Sequence, residues 1–169
     1  MNTAPISTIA AGALLAASAF LLSGCSVLGD VLSSGAEQRD DDGTITEGGT
    51  TDIFTIKVGD CLTDDGGDVV SDVPTVACDQ PHAYEVYFES IVAEGDFPGE
   101  EAIIAQADAD CESAFAAFVG LAYDQSALYY SYYYPTEESW NGAGDRIISC
   151  IIGDPDNTAL TGTLAGAAR

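Results

Sequence analysis

The sequence predicts a small single α+β domain in which a mostly antiparallel sheet packs against one main helix and is braced by two disulfides. Short segments rich in aromatic and β-branched residues indicate strands, and residues 100–119 carry apolar side chains at the three- and four-residue spacing of a helix. Four cysteines remain after Cys25, an even set that suits two disulfides. Because no repeat or second linker interrupts the pattern, we assign these elements to one α+β domain.

The first 24 residues have the pattern of an export signal. Residues 9–22 are almost purely apolar, which suits a signal-peptide core and is too short for a permanent membrane helix of about 20 residues. Leu22-Ser23-Gly24-Cys25 matches the lipobox of bacterial lipoproteins. The match implies cleavage before Cys25 and a diacylglycerol group on its sulfur, and two acyl chains suffice for stable anchoring at the outer face of a membrane.

Residues 25–52 are predicted to be the lipidated cysteine followed by a disordered acidic tether. This stretch is rich in Gly, Ser, Thr and Asp, includes the run Asp40-Asp41-Asp42, and offers little apolar surface to bury. The folded domain is therefore expected to span residues 53–169.

The folded domain is expected to begin near Ile53 with a strand, because Phe54, Ile56 and Val58 alternate with Thr55 and Lys57. Later strands are predicted around Val73 and Val76, from Tyr84 to Val92, from Leu128 to Tyr134 and from Arg146 to Ile152.

One helix is predicted over residues 100–119. Its buried stripe is expected to consist of Ile104, Ala107, Cys111, Phe115 and Phe118. Glu100 and Glu101 suit the positive end of the helix dipole, and Gly120 suits a left-handed C-terminal cap.

The four cysteines of the mature domain are expected to be oxidised, since an exported protein leaves the reducing cytoplasm. Of the three possible pairings we favour Cys61 with Cys78, which bracket a short turn-rich loop, and Cys111 with Cys150, which join the helix to a strand. A zinc site is the competing interpretation, but neither a close CxxC pair nor clustered histidines support it.

The charge of the chain excludes two classes of function. The formal net charge is −24, with 28 acidic residues against Arg39, Lys57, Arg146 and Arg169. Such a surface repels nucleic acid and anionic lipid head groups, so anchoring depends on the lipid at Cys25. The acidic surface is complementary to a basic partner or to cations, although the need for solubility would by itself account for the negative charge.

Aromatic residues are the candidate partner contacts: Tyr129, Tyr130, Tyr132, Tyr133, Tyr134 and Trp140. Aromatic residues, and tyrosine among them, are enriched at protein interfaces. One face of a tyrosine-rich strand also packs well on a core, so burial is the alternative.

Two other residues have motif positions of unknown role. His82 is the only histidine and is expected to be a hydrogen-bonded residue beside a disulfide, with a base or ligand as the alternative. Arg146, next to Asp145, is expected to form a structural ion pair.

A set of motifs resembles the septum formation family of extracytoplasmic domains from high-GC Gram-positive bacteria. The motifs are Gly59-Asp-Cys-Leu62, the segment Cys78 to Val86, the helix with Cys111, Pro135-Thr136 followed by Trp140, and the segment Gly144 to Cys150. The resemblance implies a part in septum or cell-envelope assembly and supplies no catalytic residues.

The function predicted from the sequence is a lipid-anchored, non-enzymatic binding or scaffolding module that contacts an envelope protein or a cell-wall component without a cofactor or metal. Two alternatives stay open. One is a hydrolase of wall polymers that uses carboxylates near His82 or near Glu137, and the other is a divalent-cation binder at the acidic loop Asp64 to Asp68.

Overall fold

The computed structural model describes residues 35–64, 67 and 70–169. The predicted signal peptide, Cys25 and residues 26–34 of the predicted tether lie outside the described residues. The folded unit spans Gly35–Arg169.

The main sheet has six strands, and every pair of neighbours is antiparallel. In chain order they are β3 (Gly49–Asp52), β4 (Cys61–Leu62), β5 (Asp72–Val76), β6 (Tyr84–Ile91), β7 (Tyr129–Tyr133) and β8 (Ile147–Gly153), and their order across the sheet is β3-β5-β4-β6-β8-β7. A small ribbon of β1 (Gln38–Arg39) and β2 (Ile45–Glu47) precedes them. The strands predicted from Val73, Tyr84, Leu128 and Arg146 onward are confirmed within one or two residues at most ends.

The N-terminal part of the folded unit differs from the sequence prediction. Residues 38–52, predicted to belong to the disordered tether, form β1, β2 and β3. Apolar content is low there, but Thr51 is 1% exposed and shares a 2.7 Å hydrogen bond with Thr75, and β3 gains backbone pairing from β5. The folded unit therefore begins at Gly35 and not at Ile53.

The strand predicted over Ile53 to Val58 is wrong. Ile53–Thr55 is a short 3-10 helix, and the carboxylate of Asp52 accepts a hydrogen bond from the Phe54 amide at its start. Ile53 and Ile56 are three residues apart and both pack into the apolar cluster beneath them, as one turn of 3-10 helix allows, whereas Phe54 and Val58 of the alternating pattern are 47% and 51% exposed.

The main helix α1 (Glu100–Val119) has the predicted bounds and packs on one face of the sheet. Its buried residues recur every four positions: Ile103, Ala107, Cys111, Phe115 and Val119. Ile104 and Phe118, predicted for this stripe, are half-buried at its flanks. Gly120 adopts a φ of 82° and closes the helix as predicted, and its N–H donates to Ala116.

Both predicted disulfides are confirmed. Cys61–Cys78 joins β4 to the loop after β5, and Cys111–Cys150 joins α1 to β8. A short helix α2 (Glu137–Gly142), which the sequence analysis did not predict, begins at a Thr136–Ser139 capping box and places Trp140 in the core.

Candidate functional site

A groove of about 530 Å³ lies on the face of the sheet that does not carry α1. We call it the open-face groove. Its floor is β8, where Ile147, Ser149 and Ile151 alternate with the side chains that face the helix, and its walls are the 3-10 helix, β7 and α2. The lining side chains include Phe54, Ile56, Val70, Tyr133, Thr136, Glu138, Ser139 and Asp145.

Two large apolar side chains of the groove stay in contact with solvent. Phe54 is 47% exposed and Ile147 is 40% exposed, whereas the neighbouring Ile151 is only 2% exposed. Two acidic side chains, Glu138 and Asp145, lie among the hydroxyl groups of the same lining. The groove therefore combines apolar contact area with a few polar groups, which is typical of binding sites.

Glu89 lies beside the floor of the groove, since it pairs across the sheet with Ser149. Partial burial raises the pKa of its carboxyl, the Asp60 carboxylate raises it further, and Lys57 acts in the opposite direction. Folding therefore favours the neutral form of the Glu89 carboxyl. The contribution of this carboxyl to stability is complete below the ordinary pKa of glutamate and is lost as the pH rises through the raised pKa.

The five predicted contact tyrosines divide between the two faces of β7 and its end. The Tyr132 hydroxyl donates to Asp108 at 2.7 Å and the Tyr134 hydroxyl donates to Glu100 at 3.0 Å, both on α1. Tyr130 packs against the α1 core, whereas Tyr133 lines the groove and Tyr129 donates to the Tyr84 hydroxyl. All five rings are half-buried, so packing and residual exposure coexist.

Two acidic groups on α1 act on these hydroxyls. Burial, together with the hydrogen bond to Asp108, raises the pKa of Tyr132 to about 12. The hydrogen bond to Glu100 is the main reason that the pKa of Tyr134 is raised. Both hydroxyls therefore stay protonated and keep donating at neutral pH.

Trp140 is a core residue, with 3% of its surface exposed, which does not fit the prediction that it contacts a partner. Its indole N–H donates to the Gly95 carbonyl at 3.2 Å, and the Arg146 guanidinium stacks 3.5 Å from the ring centre.

Arg146 forms an ion pair, as predicted, and its partner is Glu94 at 3.4 Å. The adjacent Asp145 carboxylate instead accepts hydrogen bonds from the Ser139 hydroxyl and the Ile147 amide. Trp140 and Arg146 thus hold α2 on the sheet.

His82 is 2% exposed and has a structural environment. Its Nδ1 lies 2.9 Å from the Gln80 carbonyl, and its main chain pairs with Leu160 near the C-terminus. His82 precedes β6, whereas α2, with Glu137 and Glu138, is near the other end of β6, roughly 25 Å along the strand. The structure therefore does not bring His82 together with these two carboxylates.

Glu85, one of the two carboxylates nearest His82 in sequence, is also structural. Glu85 is 2% exposed and accepts hydrogen bonds of 2.6 Å from the Thr163 hydroxyl and the Leu164 amide. These bonds fasten the C-terminal segment to β6, so this carboxylate already has its partners.

A metal site has little support in the part of the chain that the structure describes. One group of three close ligand residues occurs there, Cys61, Cys78 and Glu85, and its two sulfurs are joined in a disulfide. The proposed cation loop Asp64 to Asp68 includes residues outside the described ones, so the cation-binding hypothesis stays a prediction.

The groove could not be predicted from the sequence because segments far apart in the chain build it. Phe54, Tyr133 and Ile147 meet only after β7 and β8 pair and the 3-10 helix folds over them. A local signal was present at Ile147, an apolar residue whose position in the strand places it on the opposite face from Ile148 and Cys150.

Comparisons with known proteins identify a family and two relatives. Residues 58–168 match the family described as septum formation. The proteins named as a candidate lipoprotein LppN in Mycobacterium tuberculosis and Mycobacterium bovis are each 29% identical over 114 residues, which cover 65% of this chain and 62% of each relative. The chain thus spans less than two thirds of the length of these relatives.

No solved structure matches this chain. A search of the described residues for membrane-spanning segments found no helix with the length and apolar character that crossing a bilayer requires.

Proposed function

Because this chain belongs to the septum formation family, we propose that it is a lipid-anchored, non-enzymatic binding module on the extracytoplasmic face of the cell membrane. In this proposal the lipid on Cys25 provides location, and the open-face groove contacts another envelope protein or a cell-wall component. The groove is the observation that carries the proposal. Its volume of about 530 Å³ is within the range of ligand sites, and its lining exposes Phe54 and Ile147.

The anchor is supported by the lipobox and by the mycobacterial relatives, which are named as lipoproteins. Since the folded unit begins at Gly35, the proposed tether shortens to residues 26–34. A fully extended chain of that length reaches about 30 Å. The domain is therefore proposed to act near the membrane surface, and the chain's net charge of −24 keeps it from lying on anionic head groups.

The anchor predicts the chemistry of the mature N-terminus. We expect mass spectrometry of the membrane-extracted protein to find Cys25 as the first residue, with a diacylglycerol thioether. Cys25→Ser removes the nucleophilic sulfur, so cleavage at Gly24 and the added lipid mass are both expected to disappear. The control Ser23→Ala keeps a small residue before the cleavage site and is expected to retain both. An unmodified Cys25 in the wild-type protein would contradict the anchor.

The groove predicts how the protein is recovered with cell envelopes. We expect the double variant Phe54→Ser/Ile147→Ser to co-sediment roughly tenfold less with envelopes of a high-GC Gram-positive bacterium from which detergent has removed the lipid, because two exposed apolar contacts are lost and the lipid on Cys25 cannot retain the protein there. The matched control is Val58→Ser/Ile91→Ser, which changes side chains that are 51% and 75% exposed and that do not line the groove. Equal loss in both variants, or in neither, would reject the groove as the contact surface.

The same sedimentation assay separates binding from hydrolysis. A binding module leaves purified peptidoglycan intact, so soluble fragments are expected to stay at the level without protein. Fragment release that Glu138→Gln abolishes would replace this proposal with a wall hydrolase that acts in the groove.

A further inference from the structure

A second surface borders the groove, namely the outer edge of β7. We propose that this edge binds an extended, positively charged segment of a partner protein by adding it to the sheet as a further strand, an inference that rests on the proposed function as a binding module. β8 pairs with the inner side of β7, and β7 is the last strand of the sheet. Among the strands in residues 35–64 and 70–169, none pairs with the outer side of β7.

The two edges of the sheet differ in whether another segment covers them. At the β3 edge the N-terminal segment covers the strand, because Ala36 forms a parallel bridge with Thr50 and the Thr50 amide donates to the Gly35 carbonyl at 2.6 Å. The β7 edge has no such cover in the described part of the chain. Its central residues Tyr130, Ser131 and Tyr132 also include none of the charges, prolines or bulges that usually protect an edge strand.

Acidic side chains flank the β7 edge on the α1 side. Glu100, Asp108 and Glu112 are all exposed. Asp108 accepts from Tyr132 and Glu100 accepts from Tyr134, and Glu112 lies close enough to Tyr130 to act electrostatically on its hydroxyl. Three carboxylates therefore follow the direction of β7.

The groove side of the same edge is acidic as well. Glu138 and Asp145 line the groove into which the other face of β7 looks. Because successive side chains of a strand point to opposite faces, an added strand would place its side chains alternately beside the α1 carboxylates and in the groove. Lysine or arginine at alternate positions, with apolar residues between them, complements both faces.

Charge also decides against a second copy of this chain as the occupant. Two chains of net charge −24 repel each other, and a symmetric pairing of β7 edges would bring both sets of α1 carboxylates together. The same negative charge attracts a basic segment of another protein. The edge is therefore assigned to an extended basic polypeptide.

A synthetic probe tests this assignment directly. The probe is an eight-residue peptide of alternating Lys and Val, compared with the same peptide carrying Gln for Lys, and both are titrated into the full chain. We expect the Lys peptide to bind at least about tenfold more tightly. Hydrogen–deuterium exchange is expected to show new protection at the outward-facing amides of Tyr130 and Tyr132, which a peptide held only by charge would not produce.

Charge variants identify the binding face. Glu100→Gln/Asp108→Asn is expected to weaken binding of the Lys peptide about fivefold. The control Glu101→Gln/Asp79→Asn removes the same charge from exposed positions that do not contact the β7 tyrosines and is expected to bind like the wild type. Equal weakening in both variants would reduce the effect to net charge and overturn the assignment.

Backbone variants test strand addition. Tyr132→Pro removes an N–H that faces away from β8 and is expected to abolish the new protection, and Ser131→Lys, which adds a charge and changes no backbone group, guards against a failure of the proline variant to fold. We expect Ser131→Lys to weaken the Lys peptide and spare the Gln peptide. Protection elsewhere than β7, or dimerisation of the full chain through β7 in sedimentation, would overturn the proposal. If the peptide fails while the Phe54/Ile147 variant still loses envelope binding, the edge inference falls and the proposed function stands.

Discussion

Replacing Cys111 and Cys150 with alanine is expected to lower the free energy of unfolding by about 4 kcal/mol in the chain-entropy treatment of disulfides. The bridge closes a loop with a sequence separation of 39 residues, and both cysteines are fully buried between α1 and β8. Without the bridge, the unfolded chain gains freedom and the helix loses its covalent attachment to the sheet. Urea denaturation of the full chain under non-reducing conditions measures the difference.

The second disulfide supplies the matched comparison. Cys61→Ala/Cys78→Ala opens a loop with a separation of 17 residues, so a smaller loss of about 3 kcal/mol is expected. Its site is also less central, since Cys78 is half-buried beside a loop. An equal or larger loss from the shorter loop would show that local contacts at Cys61 outweigh loop entropy.

The helix and the disulfides could be predicted from the sequence because their signals are local or compositional. The segment of α1 has a helical spacing of apolar residues, acidic residues at its start and a glycine at its end. The pairing of Cys111 with Cys150 followed once the first was placed on the buried face of that helix and the second on a buried strand. Neither inference required knowledge of the sheet order.

The N-terminal strands could not be predicted because their stability comes from partners far along the chain. Thr51 is polar, yet it is buried because Thr75 satisfies its hydroxyl. α2 was missed for a different reason, since six residues are too few to show periodicity, and its Thr136–Ser139 capping box lacks the usual Glu or Gln at the third position.

The open-face groove illustrates the same limit for function. Its apolar side chains come from the 3-10 helix, β7 and β8, which are separated by many residues. The sequence predicted the tyrosine-rich strand as a contact surface, but it did not separate Tyr133, whose ring lines the groove, from Tyr132, whose hydroxyl bonds α1. Strand alternation predicts two faces and does not say which face is covered.

Asp60→Ala is expected to cost about 2 to 3 kcal/mol of stability and to loosen the N-terminal strands first. Asp60 is 3% exposed and accepts two hydrogen bonds of 2.7 Å from the Arg39 guanidinium and one of 2.9 Å from the Lys57 amide. Truncation leaves the Lys57 amide without its side-chain acceptor and leaves the Arg39 guanidinium with only Glu37 and the Gly43 carbonyl as acceptors. The expected cost is below that of a fully buried pair because 16% of the Arg39 side chain stays exposed.

Hydrogen–deuterium exchange over residues 36–52 separates local detachment from a general loss of stability. We expect faster exchange there in Asp60→Ala at denaturant concentrations that leave α1 protected, since the bond from Arg39 to Asp60 ties the β1–β2 ribbon to the main domain. The double variant Arg39→Met/Asp60→Leu removes both charges and is expected to recover only part of the loss, because the Glu37 carboxylate then loses its ion pair with Arg39. If the single and double variants were equally unstable, the ion pair itself, and not the unpaired charge, would be the source of the stability. Such a result would make the pair a direct support of the covered β3 edge, and Asp60→Ala would then expose a second edge on which the basic peptide could add.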